Sequence, residues 1–106
     1  MESMNRVELQ GVVGNVRIER VAGIKMACFT LATDYSWSGK SGAVIIETTW
    51  HELVAFSDRS SVHFEEIKQG AHLHITGRLR RQVYVNQSGE SMAKMEVLVE
   101  SLEAVK

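Results

Sequence analysis

The stretch TTWHELVAF at residues 48–56 decides how this chain folds, because its side chains suit two different surroundings in alternation. Successive side chains of a β-strand point to opposite faces of the sheet. That period puts Leu53 and Ala55 on one face, which suits a buried core. It puts Trp50 and Phe56 together on the other face. We therefore predict a strand with a core side and a side that carries two aromatic rings.

The same alternation recurs on both sides of this stretch. It predicts strands over residues 4–13, 16–21, 25–33, about 43–56 (with room for a bulge), 71–85 and 92–102. Gly14 and Asn15 bend the first strand region, and residues 86–89 form a turn between the last two strands. The chain has eight glycines and no proline, which suits long strands that need their backbone N–H groups for ladder hydrogen bonds.

One stretch, residues 57–70, has a helical pattern instead. Ser57 and Asp58 offer N-cap oxygens, and Gly70 follows a polar end that suits a helix C-terminus. We predict a helix of about three turns here, with Phe64 packed inward. Three strand regions, one helix and two strands, in this order, are what a five-stranded Greek-key barrel produces. The predicted fold is thus an all-β OB-fold with one short helix between strands 3 and 4.

Length and composition indicate a single soluble globular domain over residues 1–106. Of these residues 44% are hydrophobic and 24% charged, and no apolar run is long enough to span a membrane. The N-terminus lacks the apolar segment of a secretory signal, and one cysteine, Cys28, cannot form an internal disulfide. These features predict a cytoplasmic location. The formal net charge of −1 excludes a general attraction to polyanions, so a site for one must come from local placement of charge.

A second alternating stretch, residues 78–84, aligns an aromatic ring with positive charge. Arg78, Arg80 and Tyr84 fall on one face of the predicted strand. A sheet face with rings and cations side by side suits single-stranded nucleic acid, because every base offers a π-face and every linkage a negative charge. Such a site is tolerant of base sequence.

Two simpler interpretations remain open for these residues. In the first, Trp50, Phe56 and Tyr84 are core residues, although the apolar side chains on the reverse faces, such as Val83, make better core. In the second, the arginines of residues 78–81 form a solvated edge strand.

Trp37 lies in a polar, glycine-rich segment, residues 35–42. This composition predicts an exposed loop or hairpin tip that carries a ring and Lys40, which suggests binding. The alternative is a ring folded back on the rim of the barrel. Phe29, by contrast, alternates with alanine and leucine and is predicted to be core.

The sequence contains no recognisable catalytic or metal-binding signature. His51, His72, His74 and Cys28 are candidate soft metal ligands, but their spacing matches no zinc pattern. There is no nucleophile elbow and no phosphate-binding glycine loop. We therefore predict a non-enzymatic protein without metal or cofactor. A small metal-dependent enzyme that uses His72, His74 and Cys28 is the remote alternative.

Several short segments stand in a characteristic order: Met4-Asn5-Arg6-Val7, Gly11 with Gly14, residues 27–33, residues 49–56, Gly77-Arg78-Leu79-Arg80 and residues 95–99. In that order and spacing they resemble the bacterial single-stranded DNA-binding protein family. The resemblance covers residues 4–102, which is nearly the whole chain.

The resemblance implies an OB-fold that wraps single-stranded DNA and protects it in replication, recombination or repair. It also implies a homo-oligomer, with a tetramer favoured over a dimer, and a nucleoid-associated place in the bacterial cytoplasm with no membrane partner. By position, the base-stacking residues are Trp37, Trp50, Phe56 and Tyr84. The candidates for phosphate contact are Arg6, Arg17, Lys25, Lys40, Arg78 and Arg80. His51 falls where the family has subunit contacts, so its implied role is structural.

The end of the chain departs from the family pattern. Members usually continue into a Gly/Pro/Gln-rich linker and an acidic tip, whereas this sequence stops at residues 103–106. We therefore expect it to lack the tail that recruits repair enzymes, although replication or repair proteins stay candidate partners. This leaves open an element-borne version, a shortened chain, or a tail-less relative such as the primosomal replication protein N group, an OB-fold accessory subunit that mainly docks replication proteins.

Overall fold

Five long strands close into a barrel in the computed structural model, which describes residues 2–106. The strands are β1 (Val7–Val21), β2 (Ile24–Ser38), β3 (Val44–Phe56), β4 (His72–Val85) and β5 (Ser91–Ala104). Their order around the barrel is β1, β2, β3, β5, β4 and back to β1. This order confirms the predicted five-stranded OB barrel.

β1 bends so that one strand serves two neighbours. Residues 7–12 pair with β4, and most of the strand beyond them pairs with β2. The register shifts between Val13 and Val16, at the bend predicted around Gly14. Such a bulge lets a long strand continue around the barrel without breaking its ladders.

The barrel closes where β3 meets β5 in parallel, with Leu53 opposite Val97 and Val54 opposite Leu98. β4 must approach β5 very closely near this point. A Cβ atom on Gly77 would collide with the carbonyl oxygen of Leu98, so this position requires glycine.

The core fills the inside of the barrel. Its largest fully buried side chains include Leu31, Leu53, Leu73, Ile75 and Leu102. Each such side chain contributes about 1.5–3 kcal/mol on burial. Phe29 and Ala55 are buried as predicted.

Val83 contradicts the prediction that it belongs to the core, because 55% of it is exposed. It has the inward parity of β4, but it lies where β4 and β5 continue past the barrel as a hairpin that ends with Val85 opposite Ser91. The β2–β3 hairpin also continues well past the core, to Ser38 opposite Val44. Of the two predicted settings for Trp37, the exposed hairpin tip is therefore the correct one: Trp37 belongs to β2 near the tip and is 40% exposed.

The three-turn helix predicted over residues 57–70 is wrong in length. One 3₁₀ turn, Phe64–Glu66, is the helical part of the described chain between β3 and β4. The backbone before it is used by β5 instead: the His63 N–H donates to the Leu102 carbonyl, and the Leu102 N–H donates to the Ser61 carbonyl. A helix would withdraw these groups from β5. Phe64 packs against the core, as predicted.

Candidate nucleic-acid interface

A groove runs across the outer face of the barrel, with Trp50 at one end and Tyr84 at the other. Three overlapping depressions form it. The first joins the second through Asn15 and Thr30. The second joins the third through Arg17, Cys28 and Lys94. The strand pairings bring these residues together: Cys28 of β2 lies between Arg17 of β1 and Val54 of β3.

The Trp50 end of the groove is aromatic and uncharged. The Trp50 ring packs on Gly14, where an added Cβ would lie 2.6 Å from ring atom Cζ3. Thr30 lies beside them, and its Oγ1 accepts a hydrogen bond of 3.0 Å from the Asn15 N–H. Trp50 is nevertheless 59% exposed, so one side of the ring is supported and the rest faces solvent. An indole supported in this way is a ready platform for a flat ligand.

The Tyr84 end is aromatic and charged. Tyr84 is 42% exposed, and the Lys94 Nζ lies 5.9 Å from the centre of its ring. Met26 of β2 lines the groove beside Tyr84. Phe56 is directly opposite Met26 in the β2–β3 ladder and is half-buried, so it borders this end of the groove without lining it.

An ion pair between a half-buried arginine and a buried glutamate forms part of the groove floor. The Arg80 Nε donates a 2.9 Å hydrogen bond to Oε2 of Glu96, and the Arg80 Nη2 is also 2.9 Å from that oxygen. Only 4% of the Glu96 side chain is exposed. Charge-assisted hydrogen bonds of this kind fix the guanidinium plane, and they neutralise the arginine where it stands.

Two further cations line the groove, and the sequence predicted one of them. Arg17 was a candidate and is largely exposed, with its Nε 3.4 Å from Glu19. Lys94 was missed; its Nζ lies 4.0 Å from Glu52. The missed signal is the alternation of β5, which puts Lys94 on the face opposite the buried Val97. The acidic balance of that segment masked it.

Trp37 stands apart from the groove. Trp37 and Trp50 lie in one uninterrupted β2–β3 ladder, opposite Ile45 and Ala32 respectively. Ala32 and Trp37 are an odd number of positions apart, so the two indoles leave opposite faces of the hairpin. Trp37 has Tyr35 beside it instead, with ring centres 5.7 Å apart. The four predicted rings therefore do not share one surface.

The other basic candidates lie outside the groove. Arg6, Lys25 and Lys40 are exposed on the surface. Arg78 is half-exposed, with its Nε 4.0 Å from Glu100. Of the six predicted phosphate contacts, the groove brings together Arg17 and Arg80.

The residues of the metal-enzyme alternative are not assembled. His72 and His74 belong to β4 and Cys28 belongs to β2, and these two strands are not neighbours in the barrel. Instead, His74 Nε2 lies 2.7 Å from Oε2 of Glu8. Within residues 2–106, no three histidine, cysteine, aspartate or glutamate side chains lie close enough to hold a metal ion.

His51 lies on the inward side of β3, directly after Trp50. Its Nε2 is 2.8 Å from the Thr33 Oγ1, which places a hydrogen bond across the β2–β3 ladder. Partial burial lowers the pKa of this imidazole from its ordinary value of 6.5, because desolvation disfavours the charged form. Burial thus favours the neutral form of His51, which supports the hairpin below Trp50.

The model of the "Single-strand binding protein family" matches residues 4–105 of this sequence. The chain belongs to the single-strand binding protein family. A family relative, "Single-stranded DNA-binding protein 1" of Chlorobaculum tepidum, is 31% identical over 98 residues. That alignment covers 90% of this chain and 60% of the relative, so the chain spans about three fifths of that protein's length.

Two solved structures share the fold. An SSB complex with single-stranded DNA from Plasmodium falciparum matches with a TM-score of 0.79 at 21% identity, covering 100% of this chain and 98% of the other. A deletion mutant of the single-stranded DNA-binding protein from Thermus aquaticus matches with a TM-score of 0.77 at 17% identity, covering 97% and 51%. Both matches agree with the OB barrel described above. In the described part of the chain, residues 2–106, no helix is long and apolar enough to cross a membrane.

Proposed function

We propose that this domain, residues 1–106, binds and protects single-stranded DNA without strong sequence preference and without catalysis. The observation that carries the proposal is one groove with an exposed ring at each end, Trp50 and Tyr84, and with Arg17 and Lys94 between them. The name of the Chlorobaculum tepidum relative and the DNA-bound Plasmodium falciparum structure support the same ligand.

Stacking and charge together explain the choice of ligand. An unpaired strand can lay its bases on the two rings while its phosphates face the cations between them. A duplex cannot do this, because its bases are already stacked on each other and paired. The backbone contacts read no base edges, which accounts for tolerance of sequence.

We place this activity in the cytoplasm, at the nucleoid, during replication, recombination or repair. We also propose a homo-oligomer, with a tetramer favoured over a dimer. Exposed apolar side chains on the projecting hairpins support association, among them Val44, Ile46, Val83 and Val85. Light scattering on the purified chain checks the subunit number, and a monomeric mass contradicts it.

Trp37, Phe56, Arg6, Lys25, Lys40 and Arg78 remain proposed contacts outside the groove. A strand that follows the groove from Trp50 to Tyr84 reaches Phe56 at the Tyr84 end. Contact with Trp37 requires that strand to cross the edge of the β2–β3 hairpin. Footprint length is therefore the measurement that separates the groove residues from the outlying ones.

The central experiment is a titration with oligothymidylate, followed by tryptophan fluorescence at several salt concentrations. We expect quenching, because a stacked base contacts Trp50. The logarithm of the binding constant should fall with the logarithm of salt by about 0.7 for each phosphate neutralised. A duplex of the same length serves as the control, and equal affinity for it contradicts the proposal.

A further inference from the structure

Every cation that lines the groove has a carboxylate close to it. The pairs are Arg17 with Glu19 at 3.4 Å, Arg80 with Glu96 at 2.9 Å and Lys94 with Glu52 at 4.0 Å. Glu52 and Glu96 themselves line the groove. The groove proposed to bind a polyanion thus carries carboxylates of its own. They lie where phosphate oxygens would approach the cations.

The pairs differ in whether their carboxylate can leave. Glu96 is buried in the floor and held by two guanidinium nitrogens, so its negative charge offsets that of Arg80. Glu52 is 57% exposed, and its oxygen is at the outer limit of an ion pair with Lys94. Exposed pairs of this kind contribute little free energy and exchange readily for another partner.

We propose that Lys94 is a phosphate-binding residue of the groove and that Glu52 competes with phosphate for it. This inference rests on the proposed function. In the free protein Glu52 holds Lys94, and a bound strand displaces it. Arg80 acts differently: its fixed guanidinium shapes the site but adds little net charge. Glu52 therefore lowers the affinity for single strands and makes them easier to release.

The geometry around Lys94 supports this assignment. Lys94 lies directly opposite Gln82 in the β4–β5 ladder, and its Nζ is 4.0 Å from the Glu52 carboxylate and 5.9 Å from the centre of the Tyr84 ring. A phosphate beside a base stacked on Tyr84 would meet the same ammonium group that Glu52 now faces. The lysine stem is flexible enough to turn from one anion to the other.

The test compares Glu52→Gln with Glu65→Gln in the full chain. Both substitutions remove one negative charge, but Glu65 lies in the 3₁₀ turn, outside the residues that line the groove. Oligothymidylate is titrated against wild type and both variants over a range of salt. We expect Glu52→Gln to bind up to about fivefold more tightly at low salt, with a salt slope steeper by up to about 0.7. Glu65→Gln should match wild type.

The other outcomes overturn either the competition between Glu52 and phosphate or the proposed function itself. Quenching of wild type with an unchanged or weaker affinity for Glu52→Gln overturns the competition between Glu52 and phosphate. An equal gain for Glu65→Gln overturns it too, because the effect is then one of overall charge. Absence of any binding by wild type overturns the proposed function itself. Lys94→Ala adds an independent check, since it must flatten the salt slope by about 0.7.

Discussion

Each end of the groove carries an exposed aromatic ring, but the neighbours of Trp50 are uncharged and those of Tyr84 are charged. Trp50 rests on Gly14, beside the uncharged groups of Asn15 and Thr30. Tyr84 stands among charges, with Lys94 near its ring and the Arg80 pair in the floor. Under the proposed function, we expect the first end to supply stacking energy that salt does not screen. We expect the second end to supply the electrostatic part, which salt weakens.

The largest effect is expected from removing the arginine of the ion pair in the groove floor at the Tyr84 end. Arg80→Ala leaves the Glu96 carboxylate buried without its partner, and we expect the free energy of unfolding to fall by about 3–5 kcal/mol. Urea denaturation measures this change. Arg78→Ala is the matched control, because its pair with Glu100 is exposed and should contribute less than about 1 kcal/mol. Equal loss in both variants would show that the Glu96 site is not dry.

The stacking end is broken by Trp50→Ala. We expect single-strand affinity to weaken by about 1–3 kcal/mol, because one base loses its platform, while the salt slope stays close to that of wild type. Titration followed by anisotropy of a labelled oligothymidylate avoids dependence on the remaining tryptophan. Trp50→Phe should recover part of the affinity. A flatter salt slope in Trp50→Ala would contradict the division of the groove into a stacking end and an electrostatic end.

A smaller change at the charged end sharpens the comparison. Arg17→Ala removes an exposed cation of the groove, and we expect a salt slope flatter by about 0.7 with less than about 1 kcal/mol of lost affinity at low salt. The difference from wild type should vanish at high salt. Arg20→Ala is the control, since Arg20 has the opposite parity in β1. A loss of affinity in Arg17→Ala that persists at high salt would contradict the electrostatic role.

The smallest expected effect is a pH dependence of folding stability that arises from His51, which supports the Trp50 end. The folded pKa of His51 is lowered, so the folded protein binds that proton more weakly than the unfolded chain does. The stability that follows is fully present above about pH 6.5 and is lost as the pH falls from there towards the lowered pKa. Thermal unfolding of wild type and His51→Gln between pH 7.5 and about pH 5 isolates this contribution. Identical pH profiles would remove His51 from the account.

Alternation along the sequence predicted burial correctly where burial depends on which face of its own strand a side chain occupies. The alternation in residues 48–56 predicted that Leu53 and Ala55 are core and that Trp50 is open, and all three predictions are confirmed. The same logic failed for Val83, because parity gives the face of a strand but not where the barrel ends beneath it. The helix failed for a related reason, since β5 takes the backbone groups that a helix over residues 57–63 would use.

The chain's own residues determined the number and order of strands, the bend at Gly14 and the presence of aromatic and basic side chains on outward faces. These follow from side-chain period and backbone freedom, which act over a few residues. Only the tertiary structure decided which of those side chains share a groove. It joined Lys94 of β5 to Glu52 of β3 and separated Trp37 from Trp50, because barrel closure and ladder register bring distant positions together. Proximity across strands is not encoded in any one of them.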